Sequence, residues 1–207
     1  MKTLDVLTQD LSWRESELGS LKLLLNRTGN TVKQKEVLLR AAWAMLYAHY
    51  EGFSKFCLTV FYDRACREIA KCQDLPEKTR VFALESDLKK LRKMASLDLI
   101  PELEKFSEDV LANTPSFPDV DTGSNLWPSV LEKLLDDADI VSNEITANHQ
   151  KIRTLVARRN AIAHGQKNMI KEVEYYVTYE KTVYQIMYEL AYLVDDRLKQ
   201  PPYGVVS

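Results

Sequence analysis

The segment from about Val32 to Cys72 limits what this chain can fold into more than any other. Leu38, Ala41, Met45, Ala48, Gly52, Phe56 and Val60 fall along one side of a helix, with Trp43, Tyr47 and Leu58 on others. A helix apolar nearly all round cannot lie on a surface, so it belongs at the centre of a bundle. Glu51 is the only acid between Glu36 and Asp63. A carboxylate there is either satisfied by a near neighbour or held against a cation from another helix, because burying it alone is costly.

The rest of the chain supplies packing partners for that helix. Leu4, Leu7, Leu11, Leu18, Leu21 and Leu25 mark a first amphipathic helix, with Arg14 interrupting the stripe, and Asn26 to Asn30 closes it. After Pro76 one mixed helix is expected with Val81, Leu84, Leu88, Leu91 and Ala95 inward, then another from about Pro101 to Ala112. Asn113 to Ser129 holds Pro115, Pro118, Gly123 and Pro128 and few periodic apolar residues, the pattern of a long surface loop or insertion. Leu126, Trp127, Val130, Leu131, Leu134 and Leu135 make a short helix after it. A last helix is expected from about Lys171 to Lys199, with Val173, Tyr176, Val183, Met187, Leu190 and Val194 inward. It carries Tyr175, Tyr176, Tyr179, Tyr184, Tyr188 and Tyr192, and a row at helical spacing points to packing before base stacking. The fold class is therefore all-α, a helical bundle with a long central helix and a loop-rich insertion at about 113–129. Residues 1–207 are expected to form a single domain with its core at about 31–72 and 143–198.

Only six glycines among 207 residues favour helix over sheet. A net charge of −2 argues against a cationic coat, so any nucleic-acid contact must be local. Cys57, Cys66 and Cys72 are odd in number and lack C-x-x-C spacing, which suits reduced thiols. Asp136, Asp137 and Asp139 have no partnering histidines and read as a solvated cap. No metal and no cofactor is expected, and the sequence has no glycine-rich phosphate loop. The most apolar window, Ala41 to Ala48, is too short to span a bilayer, so a cytoplasmic protein with no membrane partner is expected.

The chemistry concentrates late in the chain. Ile152, Leu155, Val156, Ile162 and Ala163 form an apolar stripe, and Gly165 supplies the residue that most readily ends a helix in the left-handed conformation. His164 thus falls in the last turn, where backbone carbonyls favour a cation. Arg159 interrupts the stripe, and its guanidinium stays charged at any ordinary pH. It must meet a carboxylate, Glu51 being the candidate, or face a cleft that an anion can enter. From Ile145 to Lys171 the chain carries Lys151, Arg153, Arg158, Arg159, Lys167 and Lys171 and no acid. Such a run is either a solvated face or a phosphate-binding surface; its coincidence with Arg159 and His164 favours the second. His149 is read as incidental, and His49 as satisfying a core neighbour.

Arg159-Asn160-Ala161-Ile162-Ala163-His164-Gly165 resembles the R-x-x-x-x-H signature of the HEPN superfamily (higher eukaryotes and prokaryotes nucleotide-binding domains). Ala48-His49-Tyr50-Glu51-Gly52-Phe53-Ser54-Lys55 is similar to the early core helix of one bacterial branch of that superfamily. The resemblance implies an HEPN-like bundle and a metal-independent endoribonuclease of the toxin or phage-defence kind. It implies Arg159, Asn160 and His164 as catalytic residues; the reading of the residues themselves adds Glu51 as a support and Lys151, Arg153, Arg158 and Lys167 as RNA-binding. The 2′-hydroxyl would attack, leaving a 2′,3′-cyclic phosphate and a 5′-hydroxyl. Arg159 and His164 are five apart and point about 140° apart on an ideal helix, so a homodimer that brings two copies around one cleft is expected. A cognate antitoxin or defence-system component is the further partner the resemblance implies. Some relatives keep the fold without catalysis, which leaves a non-catalytic nucleotide-binding, RNA-binding or scaffold module as the alternative. A tyrosine two residues after the histidine, used for control in some relatives, is replaced here by Gln166.

Overall fold

A computed structural model describes residues 2–167 and 172–204. Among them every regular element is helical: α1 (Thr3–Leu25), α2 (Val32–Glu68), α3 (Glu77–Ala83), α4 (Glu85–Leu91), α5 (Ser96–Phe106), α6 (Pro128–Asp136), α7 (Asn143–Ala147), α8 (His149–Ala163) and α9 (Val173–Lys199). A 3₁₀ turn, Cys72–Asp74, follows α2, and a π turn, Ser107–Leu111, continues α5. The fold is all-α, as the sequence pattern requires. No helix among the described residues is long and apolar enough to cross a membrane.

The chain divides into two compact units, with boundaries falling inside α2, α6 and α9 and in the segments before α6 and before α7. The first comprises Met1–Cys57, Thr122–Glu132 and Ser142–Tyr192. On α1 its buried leucines are Leu7, Leu11, Leu18, Leu21 and Leu25, while Leu4, at 37% exposed, stays outside the stripe. Arg14 interrupts the stripe as expected and is buried, its Nε donating to Asp10 Oδ2 at 2.6 Å.

On α2 the buried side differs from the expected one. Leu39, Trp43, Leu46, Tyr47, Tyr50, Phe53 and Cys57 are buried, whereas Leu38, Ala41, Met45, Gly52, Phe56 and Val60 are only half-buried and Ala48 is exposed. Four aromatic rings and two leucines withdraw far more apolar area from water than a row of small residues, so they take the interior. At 100° per residue the buried positions of α2 within this unit, from His49 round to Tyr47, span about 160°.

Polar ties fix the later helices of this unit. The Glu189 carboxylate on α9 accepts from the Asn143 N–H at 3.1 Å, from the Glu144 N–H at 3.2 Å and from the Ser142 hydroxyl. A carboxylate at the first turn of α7 meets donors that have no partner within the helix. Ser142 caps the same turn by accepting from the Ile145 N–H at 3.1 Å. Trp43 lies within 4.8 to 6.1 Å, centroid to centroid, of Tyr175, Tyr176 and Tyr179. These tyrosines pack, while Tyr188 and Tyr192 are exposed.

The second unit comprises Leu58–Asp121, Lys133–Val141 and Leu193–Ser207. Tyr62 packs against Phe82 and Phe117 with centroids 4.9 and 4.6 Å away, and Phe61 against Tyr203 at 5.3 Å. The single helix expected after Pro76 is two, α3 and α4, parted at Leu84, where ψ rises to 4°. That break changes the facing of the residues around it: Val81 is 54% exposed and Ala95 is exposed, against their expected inward placement. Asp136 pairs with Lys78, and Asp137 with Lys133 at 2.8 Å. Residues 113–127 form no regular element, yet Val120 and Leu126 are buried, so the segment is packed rather than a free surface loop.

Candidate functional site

α8 and the chain just beyond it carry the Arg159, Asn160 and His164 pattern, all within the first unit. Ile152, Leu155 and Val156 anchor the helix, while Ile162 is half-buried and Ala163 is exposed, so the apolar stripe stops short of the helix end. The termination is a Schellman turn. Gly165 adopts φ +72°, its N–H donates to Ile162 O at 3.1 Å, and the Gln166 N–H donates to Ala161 O at 2.9 Å. Arg40 of α2 secures this end by donating from Nη1 to Gln166 O at 2.6 Å and from Nη2 to Ile162 O at 3.4 Å.

His164 is the C-cap residue, its backbone N–H donating to Asn160 O at 2.9 Å. Its imidazole is exposed and makes no hydrogen bond among the described residues. Arg159 turns the other way. Its half-buried guanidinium donates from Nη1 to Asn125 Oδ1 at 2.8 Å and to Asn160 Oδ1 at 3.0 Å. It also lies 4.6 Å from the centre of the Tyr47 ring, close enough for a cation–π contact. One chain thus joins Arg159 to Asn160 and leaves the His164 ring apart from both.

The ion pair expected between Glu51 and Arg159 is not formed: no hydrogen bond or ion pair joins them among the described residues. Tyr47 stands between them in the network. Its hydroxyl donates to Glu51 Oε1 at 2.9 Å and accepts from the Leu126 N–H at 2.9 Å. Burial, reinforced by Glu51 and opposed by the Leu126 N–H and Arg159, pushes the phenol up to about 12, so it stays protonated as the donor. Glu51, one turn after Tyr47, finds its partner on its own helix, which removes the need for a distant cation. Arg159 is therefore held by two neutral amides and a ring, with no carboxylate to neutralise it among the described residues.

The basic residues do not share one face. Lys151 donates to Thr182 Oγ1 at 3.0 Å. Arg158 is half-buried, its guanidinium 5.0 and 5.1 Å from the ring centres of Trp43 and Tyr175. The Tyr179 hydrogen bond, followed by the Arg158 guanidinium, holds the Tyr175 phenol below its ordinary value. Arg153 and Lys167 are exposed, and Lys171 lies outside the described residues. On α8, Arg153 stands roughly 140 to 160° around the axis from Lys151 and Arg158.

Three members of this arrangement were not marked as site residues by sequence reasoning: Tyr47, Asn125 and Arg40. Tyr47 carried a usable signal, since it lies four residues before Glu51 on one helix. Asn125 carried none, because its partner is 34 residues away and reaches it only in the fold. Arg40 is likewise 126 residues from its carbonyl partner, Gln166.

A guanidinium held by side-chain amides with no carboxylate partner among the described residues can bind an anion, and an exposed imidazole at the end of the same helix offers a group that can take or give a proton. No curated protein and no solved structure matches the chain. A family model does: the HEPN_MAE_28990-like HEPN model covers residues 3–203, nearly the whole chain, and so the protein belongs to the HEPN_MAE_28990-like HEPN family.

Proposed function

We propose that the protein is a metal-independent endoribonuclease, acting in the cytoplasm as a toxin or phage-defence effector. The observation that carries this reading is the state of Arg159, a guanidinium positioned by Asn125, Asn160 and Tyr47 yet without a carboxylate partner among the described residues. Such a group is ready for a phosphate. His164 takes the proton of the 2′-hydroxyl, the 2′ oxygen attacks phosphorus, and the bond to the 5′ oxygen breaks. A protonated imidazole returns a proton to that leaving oxygen, giving a 2′,3′-cyclic phosphate and a 5′-hydroxyl. Arg159 stabilises charge on the non-bridging oxygens, and Asn160, on the same side as His164, donates a hydrogen bond. Glu51 supports the assembly through Tyr47.

Because Arg159 turns inward and the His164 ring outward within one chain, the complete site needs two copies, with α8 of each contributing around a two-fold axis. Arg153 and Lys167, with Lys151 and Arg158 more deeply engaged, supply affinity for the RNA backbone. A cognate antitoxin or defence-system component would restrain or trigger the activity. A second reading rests on the same separation: a single chain assembles no imidazole–guanidinium pair, which suits a non-catalytic RNA- or nucleotide-binding module.

Incubation of total RNA in EDTA with wild type, Arg159→Ala and His164→Ala separates the two. The enzyme reading expects cleavage by the wild type that falls by roughly a hundred- to ten-thousand-fold in His164→Ala. Equal rates for wild type and folded His164→Ala would remove His164 from the chemistry. RNA binding without cleavage by any of the three would leave the binding module.

A further inference from the structure

We infer that a cleft between the segment preceding α6 and the first turns of α8 is a nucleotide subsite for single-stranded RNA, adjoining the Arg159–His164 site. The inference rests on the RNA reading above. The cleft encloses about 260 Å³ and is lined by Trp127, Pro128, Ser129, His149 and Arg153. Its chemistry suits an unpaired nucleotide. The Trp127 indole is half-buried and makes no ring or cation–π contact among the described residues, so an aromatic face is open to a base. Arg153 is exposed and makes no hydrogen bond or ion pair among the described residues, so its fork is free for phosphate oxygens. His149 adds a ring nitrogen, with Glu132 Oε2 3.8 Å from its Nε2.

The position along α8 strengthens the case. Arg153, Asn160 and His164 are seven and four residues apart, so on an ideal helix they fall within an arc of about 40° on one side. Arg153 and Asn160 are about 10 Å apart along the axis at 1.5 Å per residue. A strand rising about 3.4 Å per stacked nucleotide, and more when extended, crosses that in roughly two or three nucleotides. The cleft wall and the anchor of the site are also one short piece of chain. Asn125 accepts from Arg159, Leu126 donates to Tyr47, and the Trp127 N–H donates to Asn125 O at 2.9 Å. A base seated on Trp127 thus stands at a fixed distance from the phosphate that Arg159 would hold.

The test is the affinity of the full chain carrying His164→Ala, so that cleavage does not interfere. Fluorescence anisotropy is read with a short single-stranded RNA and with an RNA duplex. Adding Trp127→Ala should weaken single-strand binding by roughly five- to a hundred-fold. Trp127→Tyr should keep most of it, and duplex affinity should change little. Arg153→Gln should lower the slope of log affinity against log salt by about one. Unchanged single-strand affinity in a folded Trp127→Ala would overturn the subsite, as would an equal loss for single strand and duplex. Loss of dimer in Trp127→Ala at unchanged RNA affinity would assign the cleft to a contact between copies and overturn it too. The two readings fail separately. Trp127-dependent binding by a protein that cuts no RNA removes the enzyme and keeps the subsite. RNA cleavage with unchanged affinity in Trp127→Ala does the reverse.

Discussion

Glu51 and Arg159 are joined through Tyr47 and not to each other. The phenol donates to Glu51 Oε1 at 2.9 Å, and its ring lies under the Arg159 guanidinium with 4.6 Å between the carbon and the ring centre. A direct ion pair would have cancelled the charge on Arg159. The intervening ring contacts the cation through its face and satisfies the carboxylate through its hydroxyl, so position and charge are both retained. The resulting arginine is ordered before any ligand arrives, which lowers the entropy lost on binding.

Tyr47→Phe separates the two tasks of that side chain. The ring and its contact with Arg159 remain, while the Leu126 N–H, buried in the first unit, loses its acceptor. Leaving a buried donor unpaired costs about 1–3 kcal/mol. Thermal unfolding should drop by about 2–4 °C for each kcal/mol in a chain of this size. Glu51→Gln, which keeps an acceptor for the phenol, should shift the midpoint much less. A large destabilisation by Glu51→Gln with none by Tyr47→Phe would mean that the carboxylate's charge, and not the phenol, holds the network.

Asn125 offers a sharper division between stability and function. Its side chain accepts from Arg159 Nη1 at 2.8 Å, with neither group fully buried. Asn125→Ala should therefore cost only about 1 kcal/mol in thermal or urea unfolding, while releasing the guanidinium and weakening RNA binding. Asn125→Asp keeps the acceptor and adds a carboxylate against Arg159. The fold should hold or gain slightly, yet RNA affinity and cleavage should fall because the cation is neutralised. Undiminished RNA affinity in Asn125→Asp would show that Arg159 does not bind the phosphate.

The end of α1, the start of α2 and the end of α9 are readable because Asn, Gly or Pro bounds the apolar period there, whereas α2 stops at Glu68, short of the expected Cys72, and the expected start of α9 at Lys171 lies outside the described residues. The end of α8 was readable for the same reason, since Gly165 alone dictates the left-handed turn. The buried side of α2 was not. Periodicity identifies two candidate sides when both are apolar, and only the neighbouring elements decide that Trp43, Tyr50 and Phe53 go inward in place of Ala41, Ala48 and Gly52. The partner of Arg159 was hidden for a related reason. Asn125 sits in a stretch that reads as loop, and its hydrogen bond exists only once the chain returns to α8. The partner of Glu51 was in view four residues away, and a distant cation was the less economical assignment.

His49 gives the fold a dependence on acid. It is 4% exposed on α2, with Nε2 2.9 Å from Glu17 Oε2 and Nδ1 3.4 Å from Arg14 Nη1. A neutral ring satisfies both neighbours as the Nε2–H tautomer, donating to Glu17 and accepting from Arg14. Burial lowers its pKa, Glu17 and Asp10 oppose this, and Arg14 adds to it; the balance falls below the ordinary value of 6.5. The edge of Trp13, 5.3 Å away centroid to centroid, completes its surroundings. A folded-state value depressed below the unfolded one makes the unfolded chain bind the proton first. Stability is then fully present above about pH 6.5 and is lost as the pH falls towards the folded value. For one proton the slope reaches at most about 1.4 kcal/mol per pH unit. Urea midpoints measured from pH 8 to pH 5 should therefore fall below about 6.5 in the wild type. In His49→Gln, which keeps a donor and an acceptor without titrating, the same curve should be flatter over that window. Parallel curves for the two proteins would place the acid sensitivity elsewhere.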